Sequence, residues 1–268
     1  MRHRARSTGR KEAKQKSMRY IRRFLALLTA ACLLVSSASA VGFEMVSADE
    51  TDAQKLLRSY DKKEGYLYLE LGRYPYTADG EIQPVLWEVL YVENDVALLF
   101  THYCIDFAQF NEERKDEPTW KDYTIYHTLN EVMVPEMFTD EELSAILLDE
   151  ELGWLYYPTT QDMWNNDYGY RAGHWPYAER KCEPTPYAKA NPHAWVSSET
   201  YCTWYFTRNV MRTGTHGLVG YDGHTSVAAN NRWGGVRPMC RVDMTKLDNA
   251  TGSGTVDDPY VFTVVSGK

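Results

Sequence analysis

The sequence predicts an α+β fold that combines an antiparallel sheet with two helices and a long, loop-rich aromatic region. Residues 84–92 and 96–100 are rich in strand-forming side chains and flank the polar tip 93–95, which predicts a β-hairpin. Apolar residues at helical spacing follow between positions 124 and 147. Residues 154–206 then carry thirteen Trp or Tyr residues among Gly, Pro and Asn, so this region needs tertiary packing to be ordered.

The first forty residues have the pattern of a secretory signal peptide. Residues 1–23 are rich in Arg and Lys, residues 24–35 are almost wholly apolar, and the small residues that follow suit cleavage after Ala40. The apolar run is short for a membrane span, so we expect no span after signal removal and a secreted or extracellular protein. Met1 and Met18 both fit as the start of such a signal.

Removal of this segment would leave a strongly acidic protein. The whole chain has 29 basic and 37 acidic residues, and residues 1–40 contain ten of the basic residues and one of the acids. The remaining 19 basic and 36 acidic side chains give a net charge of −17. We therefore expect no nucleic-acid partner, because phosphate binding needs a basic face. The oligomeric state stays open.

The exported chain is expected to hold one domain with short flanking segments. Residues 41–65 are polar and predict a flexible lead-in, with room for a short helix at 53–60. Residues 66–246 form the predicted domain, which begins with strand formers at 66–72. Residues 247–268 predict a Gly- and Ser-containing linker and a terminal strand, which either joins the main sheet or begins another module.

The first predicted helix begins near Thr124 and ends before Pro135, because proline disrupts a helix interior. Its expected buried face carries Ile125, Leu129 and Val132.

The second helix begins at a capping box, in which the Thr139 side chain accepts from the Glu142 amide and the Glu142 side chain bonds the Thr139 amide. The expected buried stripe of this helix is Leu143, Ile146 and Leu147.

Two further strand signals lie near the C-terminus. Residues 217–221 and 224–229 flank Asp222-Gly223 and predict a second hairpin. The stretch 230–238 follows, and residues 235–242 are expected to form a central strand.

Short motifs along the chain resemble those of a bacterial family, the domain of unknown function numbered six-two-seven-three. The resemblance covers about residues 66–242 and implies no activity or cofactor. The matching motifs are Gly72-Arg73-Tyr74-Pro75, Trp87-Glu88-Val89-Leu90, Ala97-Leu98-Leu99, Thr119-Trp120, Leu129-Asn130, Phe138-Thr139-Asp140-Glu141-Glu142, Arg180-Lys181-Cys182-Glu183-Pro184-Thr185, Tyr187-Ala188-Lys189-Ala190 and Gly235-Val236-Arg237-Pro238.

The order of elements is also similar to the C-type-lectin-like fold, which formylglycine-generating (sulfatase-modifying) enzymes share. Such a fold does not transfer function by itself. Formylglycine-type oxidases need a close cysteine pair on the terminal strands, whereas Cys182 and Cys202 are far apart in sequence and Cys240 follows the Gly-x-Arg motif. No Gly-x-Ser-x-Gly turn and no His-x-x-x-His spacing occurs in residues 41–268. We therefore predict no catalytic residues, metal ligands or cofactor.

The cysteines are expected to be structural. Cys104, Cys182, Cys202 and Cys240 remain after signal removal, and an even number in an exported chain permits two disulfides with three connectivities. We expect Cys182 and Cys202 to be neighbours, either as a disulfide or as two buried thiols.

The aromatic region has two interpretations, either packing of irregular loops or a ligand-binding face. The binding hypothesis is an exported domain that recognises a carbohydrate or a protein at the cell surface, and the alternative is an extracellular hydrolase or formylglycine-type oxidase. Gly235 and Arg237 are predicted to be structural. The candidate ligand-binding residues are Trp204, Arg208, Asn230, Asn231, Arg232 and Trp233.

Overall fold

A computed structural model describes residues 50–58, 60, 65–116 and 118–265 of the chain. These residues belong to one compact unit, Asp49–Lys268. The predicted signal peptide and both predicted start sites lie outside the described residues. The described part contains two sheets and several short helices, so the predicted α+β class is confirmed.

The strands of the described residues, in chain order, are β1 Leu67–Pro75, β2 Ile82–Glu93, β3 Val96–Thr101, β4 Asp106–Gln109, β5 Tyr205–Arg212, β6 Thr215–Val219, β7 Thr225–Ala229, β8 Trp233–Val236, β9 Met239–Asp243, β10 Leu247–Thr251 and β11 Tyr260–Val264. Six of them form one sheet in the order β10-β11-β1-β2-β3-β9. The other five form a second sheet in the order β4-β8-β5-β6-β7, so β7 is an edge strand.

The helices are short. A π-helical turn, Thr128–Met133, joins two of them. The α-helices are α1 Asp52–Arg58, α2 Thr124–His127, α3 Val134–Met137, α4 Asp140–Ala145 and α5 Pro186–Ala190.

Both predicted hairpins are confirmed. In the first, Glu93 pairs with Val96, and the tip residues Asn94 and Asp95 have φ angles of 48° and 64°. Asn and Asp tolerate this left-handed conformation, which matches the twist of a two-residue hairpin. The second hairpin joins β6 and β7 in antiparallel register.

The predicted end of the first helix is wrong. Helical structure continues past Pro135, which lies in the first turn of α3. A proline is tolerated there because an N–H group in the first turn has no partner within that helix. The π-helical turn before it inserts one residue into the helical spacing. As a result Met133 is buried, whereas Val132, predicted to be buried, is 52% exposed.

The capping box of the second helix is confirmed. The Glu142 amide donates to Thr139 Oγ1 over 3.2 Å, and the Thr139 amide donates to Glu142 Oε2 over 2.9 Å. The predicted stripe is only partly correct, because α4 ends at Ala145. Ile146 and Leu147 lie beyond it in extended chain, where Ile146 is buried and Leu147 only half-buried.

The described residues at both ends of the domain pack on the six-stranded sheet. Within the predicted lead-in, α1 buries Ala53 and Leu57, and the Thr51 hydroxyl donates to the Met244 carbonyl over 2.6 Å. Within the predicted linker and terminal strand, β10 and β11 join the sheet, where β11 lies parallel to β1.

The predicted central strand 235–242 is two strands in different sheets. The first, β8, lies between β4 and β5, whereas β9 forms an edge of the six-stranded sheet. Arg237 and Pro238 connect them. Pro238 has no N–H for a sheet ladder, which favours a break at this point. Arg237 is thereby placed where the chain passes from one sheet to the other.

Candidate ligand-binding groove

Two glycines in β8 allow close packing beneath an aromatic side chain. A Cβ atom added at Gly234 would lie 3.2 Å from the Trp204 ring and 3.0 Å from Phe206. A Cβ atom added at Gly235 would lie 2.7 Å from Cys104 Sγ. Glycine therefore lets β8 approach both the half-buried Trp204 and a buried thiol.

Arg237 lies in a fully enclosed polar centre. Its side chain is buried, Nε donates to the Thr101 carbonyl over 3.0 Å, and Nη1 donates to the Tyr205 hydroxyl over 3.1 Å. Nη2 lies 3.6 Å from Glu88 Oε2, and the guanidinium lies 4.0 Å from the centre of the Phe100 ring. These contacts tie residues from both sheets together.

The described cysteines are buried free thiols. Cys182 faces Thr203 in an antiparallel bridge, which places it beside Cys202, and its Sγ atom lies 3.7 Å from the Glu183 carbonyl oxygen. Burial raises the pKa of the Cys104 and Cys202 thiols. Of the two forms expected for Cys182 and Cys202, the structure has neighbouring thiols. Within the described part of the chain, no group of three or more His, Cys, Asp or Glu side chains could hold a metal ion.

An open groove of about 600 Å³ runs along the edge strand β7, and we call it the aromatic groove. It brings together two of the predicted ligand-binding residues, Trp204 and Arg232. The described residues that line the groove are Trp195, Trp204, Leu218, Gly220, Tyr221, His224, Ser226, Val227, Ala228, Ala229 and Arg232.

Three aromatic side chains line this groove. Trp195 is 48% exposed, and its ring centre lies 5.2 Å from that of Tyr221 at an interplanar angle of 57°. The Thr200 hydroxyl donates to the Tyr221 carbonyl over 3.2 Å and anchors this part of the chain. Trp204 packs edge to face on Phe206 with ring centres 5.0 Å apart. The groove therefore presents aromatic surface held by defined contacts.

The outer side of the β7 backbone is open only in part, because the Thr225 amide donates to the His174 carbonyl over 3.2 Å. The Gly220 amide donates to the His224 carbonyl, and the Asn230 amide donates to the Gly214 carbonyl. Because bonded pairs alternate in an antiparallel ladder, Ser226 and Ala228 form the bonded pairs with β6. The N–H and C=O groups of Val227 and Ala229 point to the open side and have no backbone partner among the described residues.

The groove also contains an unpaired cation. Arg232 is exposed and forms no salt bridge with any described carboxylate, and no Asp or Glu is among the described residues that line the groove. The other basic lining residue, His224, hydrogen-bonds Asp222 through its Nδ1 atom, so that carboxylate is already engaged.

The groove does not contain the other residues of the 230–233 segment. Asn230 is buried, and its side chain donates to the Lys115 carbonyl over 2.7 Å and accepts from the Lys115 amide over 3.3 Å. Asn231 is exposed outside the groove lining, and its carbonyl accepts from Gln109. Trp233 stacks on His193 with ring centres 3.8 Å apart. The Asn230 side chain thus fixes the position of the loop through its two hydrogen bonds to the Lys115 backbone.

Arg208, the remaining predicted ligand-binding residue, lies in a different place. It lines a second cavity of about 430 Å³, which we call the arginine cavity. Its Nη1 atom lies 3.8 Å from Asp162 Oδ2 and donates to the Tyr157 carbonyl over 3.3 Å. In the same cavity Arg241 pairs with Asp149 over 2.8 Å.

Sequence reasoning missed Trp195, Tyr221 and the free edge of β7. Trp195 belongs to the dense Trp and Tyr pattern of residues 154–206, which gives no means of separating it from the packing aromatic residues, and Tyr221 lies in the predicted strand 217–221. The edge position of β7 depends on the order of strands in the sheet, which no local motif encodes.

No family model, no characterised protein and no solved structure matches this chain. No helix of the described residues has the length and apolar character needed to cross a membrane. The resemblance to the family numbered six-two-seven-three and to the C-type-lectin-like fold therefore stays a prediction, and the groove must be interpreted from its own chemistry.

Proposed function

We propose that this protein is an exported bacterial ligand-binding domain of lectin-like type that recognises a carbohydrate or a protein at the cell surface. The aromatic groove is the binding surface. The observation that carries this proposal is the grouping of Trp195, Trp204 and Tyr221 around an open groove that also holds the unpaired Arg232.

The chemistry of the groove suits binding. Its volume of about 600 Å³ falls within the range of small-ligand sites, roughly 300–1,000 Å³. Trp and Tyr supply a large contact area with few rotatable bonds, and they are enriched where one partner stacks on another. The Trp195 side chain is about half exposed, so its ring is available to contact a ligand.

An array experiment with a matched pair of variants tests the proposal. The purified full-length protein is applied to glycan and random-decapeptide arrays, beside Trp195→Ala and Trp175→Ala. Trp175 is 72% exposed and does not line the groove, so it controls for the loss of an exposed indole. We expect binding by the wild type and by Trp175→Ala, and about tenfold weaker binding by Trp195→Ala. The absence of binding on both arrays would refute the proposal.

One observation favours a hydrolase as the second candidate. The Asp222–His224 hydrogen bond resembles the orienting pair of a nucleophilic site, and Ser226 lines the same groove. The Ser226 hydroxyl has no hydrogen bond to His224 or to any other described residue, so the contact between nucleophile and base is missing. Hydrolysis of p-nitrophenyl acetate by the wild type that Ser226→Ala abolishes would establish this candidate in place of simple binding.

A further inference from the structure

We infer that the ligand of the aromatic groove is an extended peptide with an acidic residue, which adds to the five-stranded sheet as a strand beside β7. This inference rests on the proposed binding function and names the class of partner. Strand addition is a recurring mode of peptide recognition, in which the main chain supplies affinity and the side chains supply specificity.

The free edge of β7 supplies the required hydrogen-bonding groups. Val227 and Ala229 line the groove, and their N–H and C=O groups point away from β6. They are two residues apart, which corresponds to about 6.8 Å along a strand. An extended peptide presents its own N–H and C=O groups at the same two-residue interval, so it can bond both positions in register.

The side chains of the lining favour a peptide over a carbohydrate. Asp, Glu, Asn and Gln side chains offer several hydrogen bonds to a cluster of sugar hydroxyls, and none of them is among the described residues of the groove lining. The polar side chains are instead Arg232, His224, Ser226 and Tyr221, beside apolar groups such as Leu218 and Val227. Apolar peptide side chains on alternate residues would pack on these groups while the peptide backbone pairs with β7.

Arg232 selects an acidic residue in that peptide. It follows β7 closely in the chain, lines the groove and has no salt bridge to a described carboxylate. The whole chain has a formal net charge of −8, so a groove whose described lining holds a guanidinium and no Asp or Glu differs in charge from the protein as a whole. A carboxylate in the ligand would form a charge-assisted hydrogen bond there.

A backbone-directed experiment tests strand addition. The tightest decapeptide from the random array is resynthesised with one N-methyl group at each position in turn. We expect at least tenfold weaker binding when alternate amides that face β7 are methylated, and little change at the amides between them. A uniform response along the peptide would overturn the inference.

A substitution in β7 provides the reciprocal test. Val227→Pro removes one outward-facing donor and leaves the β6–β7 hydrogen bonds intact, so an edge strand tolerates it. We expect a folded protein by circular dichroism with at least tenfold weaker peptide binding, whereas the matched Val227→Thr variant keeps its amide and most of its binding. Unchanged binding by folded Val227→Pro would overturn the inference. If that variant does not fold, the N-methyl scan alone decides.

Two other results separate this inference from the proposed function. Binding confined to the glycan array would refute the inference of a peptide ligand but not the proposed binding function. The absence of binding on both arrays would refute both the inference and the proposed function. A dimeric wild type that becomes monomeric in Val227→Pro, measured by light scattering, would also overturn the inference, because the edge of β7 would then serve a second copy of the chain.

Discussion

The aromatic groove and the arginine cavity are both concave, but their charged groups differ in whether they have partners. In the arginine cavity, Arg208 lies near Asp162 and Arg241 pairs with Asp149. In the aromatic groove, Arg232 has no described carboxylate as a partner, and the outward-facing backbone groups of Val227 and Ala229 have no backbone partner among the described residues. The comparison teaches that an arginine in a cavity indicates a ligand only when the fold leaves its charge unpaired.

Arg237 is fully buried and contacts Glu88, Thr101 and Tyr205, and its substitution has the largest expected effect on stability. We predict that Arg237→Leu lowers the free energy of unfolding by about 3–5 kcal/mol, because Glu88 would lose its fully buried guanidinium partner and keep the contact with the less buried His102. Urea unfolding measures the loss, and Arg232→Leu is the control, with an expected change under about 0.5 kcal/mol. A small effect of Arg237→Leu would show that pairing does not decide which arginines are structural.

A pH series separates the core from the groove. His216 is fully buried and bonds the Tyr123 hydroxyl over 2.6 Å, and burial lowers its pKa to about 4. The unfolded chain has a His pKa near 6.5 and therefore binds the proton first as the pH falls. His216 should leave the free energy of unfolding unchanged above about pH 6.5. Its titration should lower that free energy by about 3 kcal/mol as the pH falls to 4.

Chemical unfolding at several pH values, compared between the wild type and His216→Gln, isolates this contribution. We expect the variant, which cannot titrate at this position, to lose less stability over the same pH interval. Equal pH dependence in the two proteins would refute the assignment to His216.

Two matched arginine variants test the comparison by binding. We predict that Arg232→Gln weakens binding of an acidic array peptide about tenfold, which corresponds to about 1.4 kcal/mol, because Arg232 is the one arginine among the described lining residues. Arg208→Gln removes the same charge from the arginine cavity and should leave the affinity unchanged. Isothermal titration calorimetry measures both, and an equal loss in the two variants would contradict the distinction between the sites.

Salt gives the smallest expected effect. The contact between Arg232 and a peptide carboxylate is exposed, so raising the ionic strength from 50 mM to 500 mM should weaken binding by about two- to threefold. The same titration with Arg232→Gln should show a flatter salt dependence. A salt dependence that is identical in the two proteins would mean that Arg232 does not meet the ligand charge.

Local elements were predictable from the sequence because their determinants are neighbours in the chain. The hairpin tip at Asn94 and Asp95 and the capping box at Thr139 depend on residues at most three apart. The continuation through Pro135 was not predictable, because a π-helical turn shifts the buried face from Val132 to Met133. The sequence carries no local sign of that turn.

The candidate site was only partly predictable, because it depends on strand order. Trp204 and Arg232 reach one groove, whereas Arg208, four residues after Trp204, reaches the arginine cavity. The polar sequence around Asn230 fits either a loop-pinning residue or a ligand-binding residue, and its contact with Lys115, 115 positions away, decides for the former. Such long-range contacts lie outside what spacing and composition encode.

Amide hydrogen exchange along β7, followed by NMR, tests the central claim most directly. In the free protein, we predict slow exchange at Ser226 and Ala228, which bond β6, and fast exchange at Val227 and Ala229. Addition of the array-selected peptide should slow exchange at Val227 and Ala229. Slow exchange at all four amides in the free protein, or unchanged fast exchange with peptide bound, would contradict the claim that the edge of β7 is the binding surface.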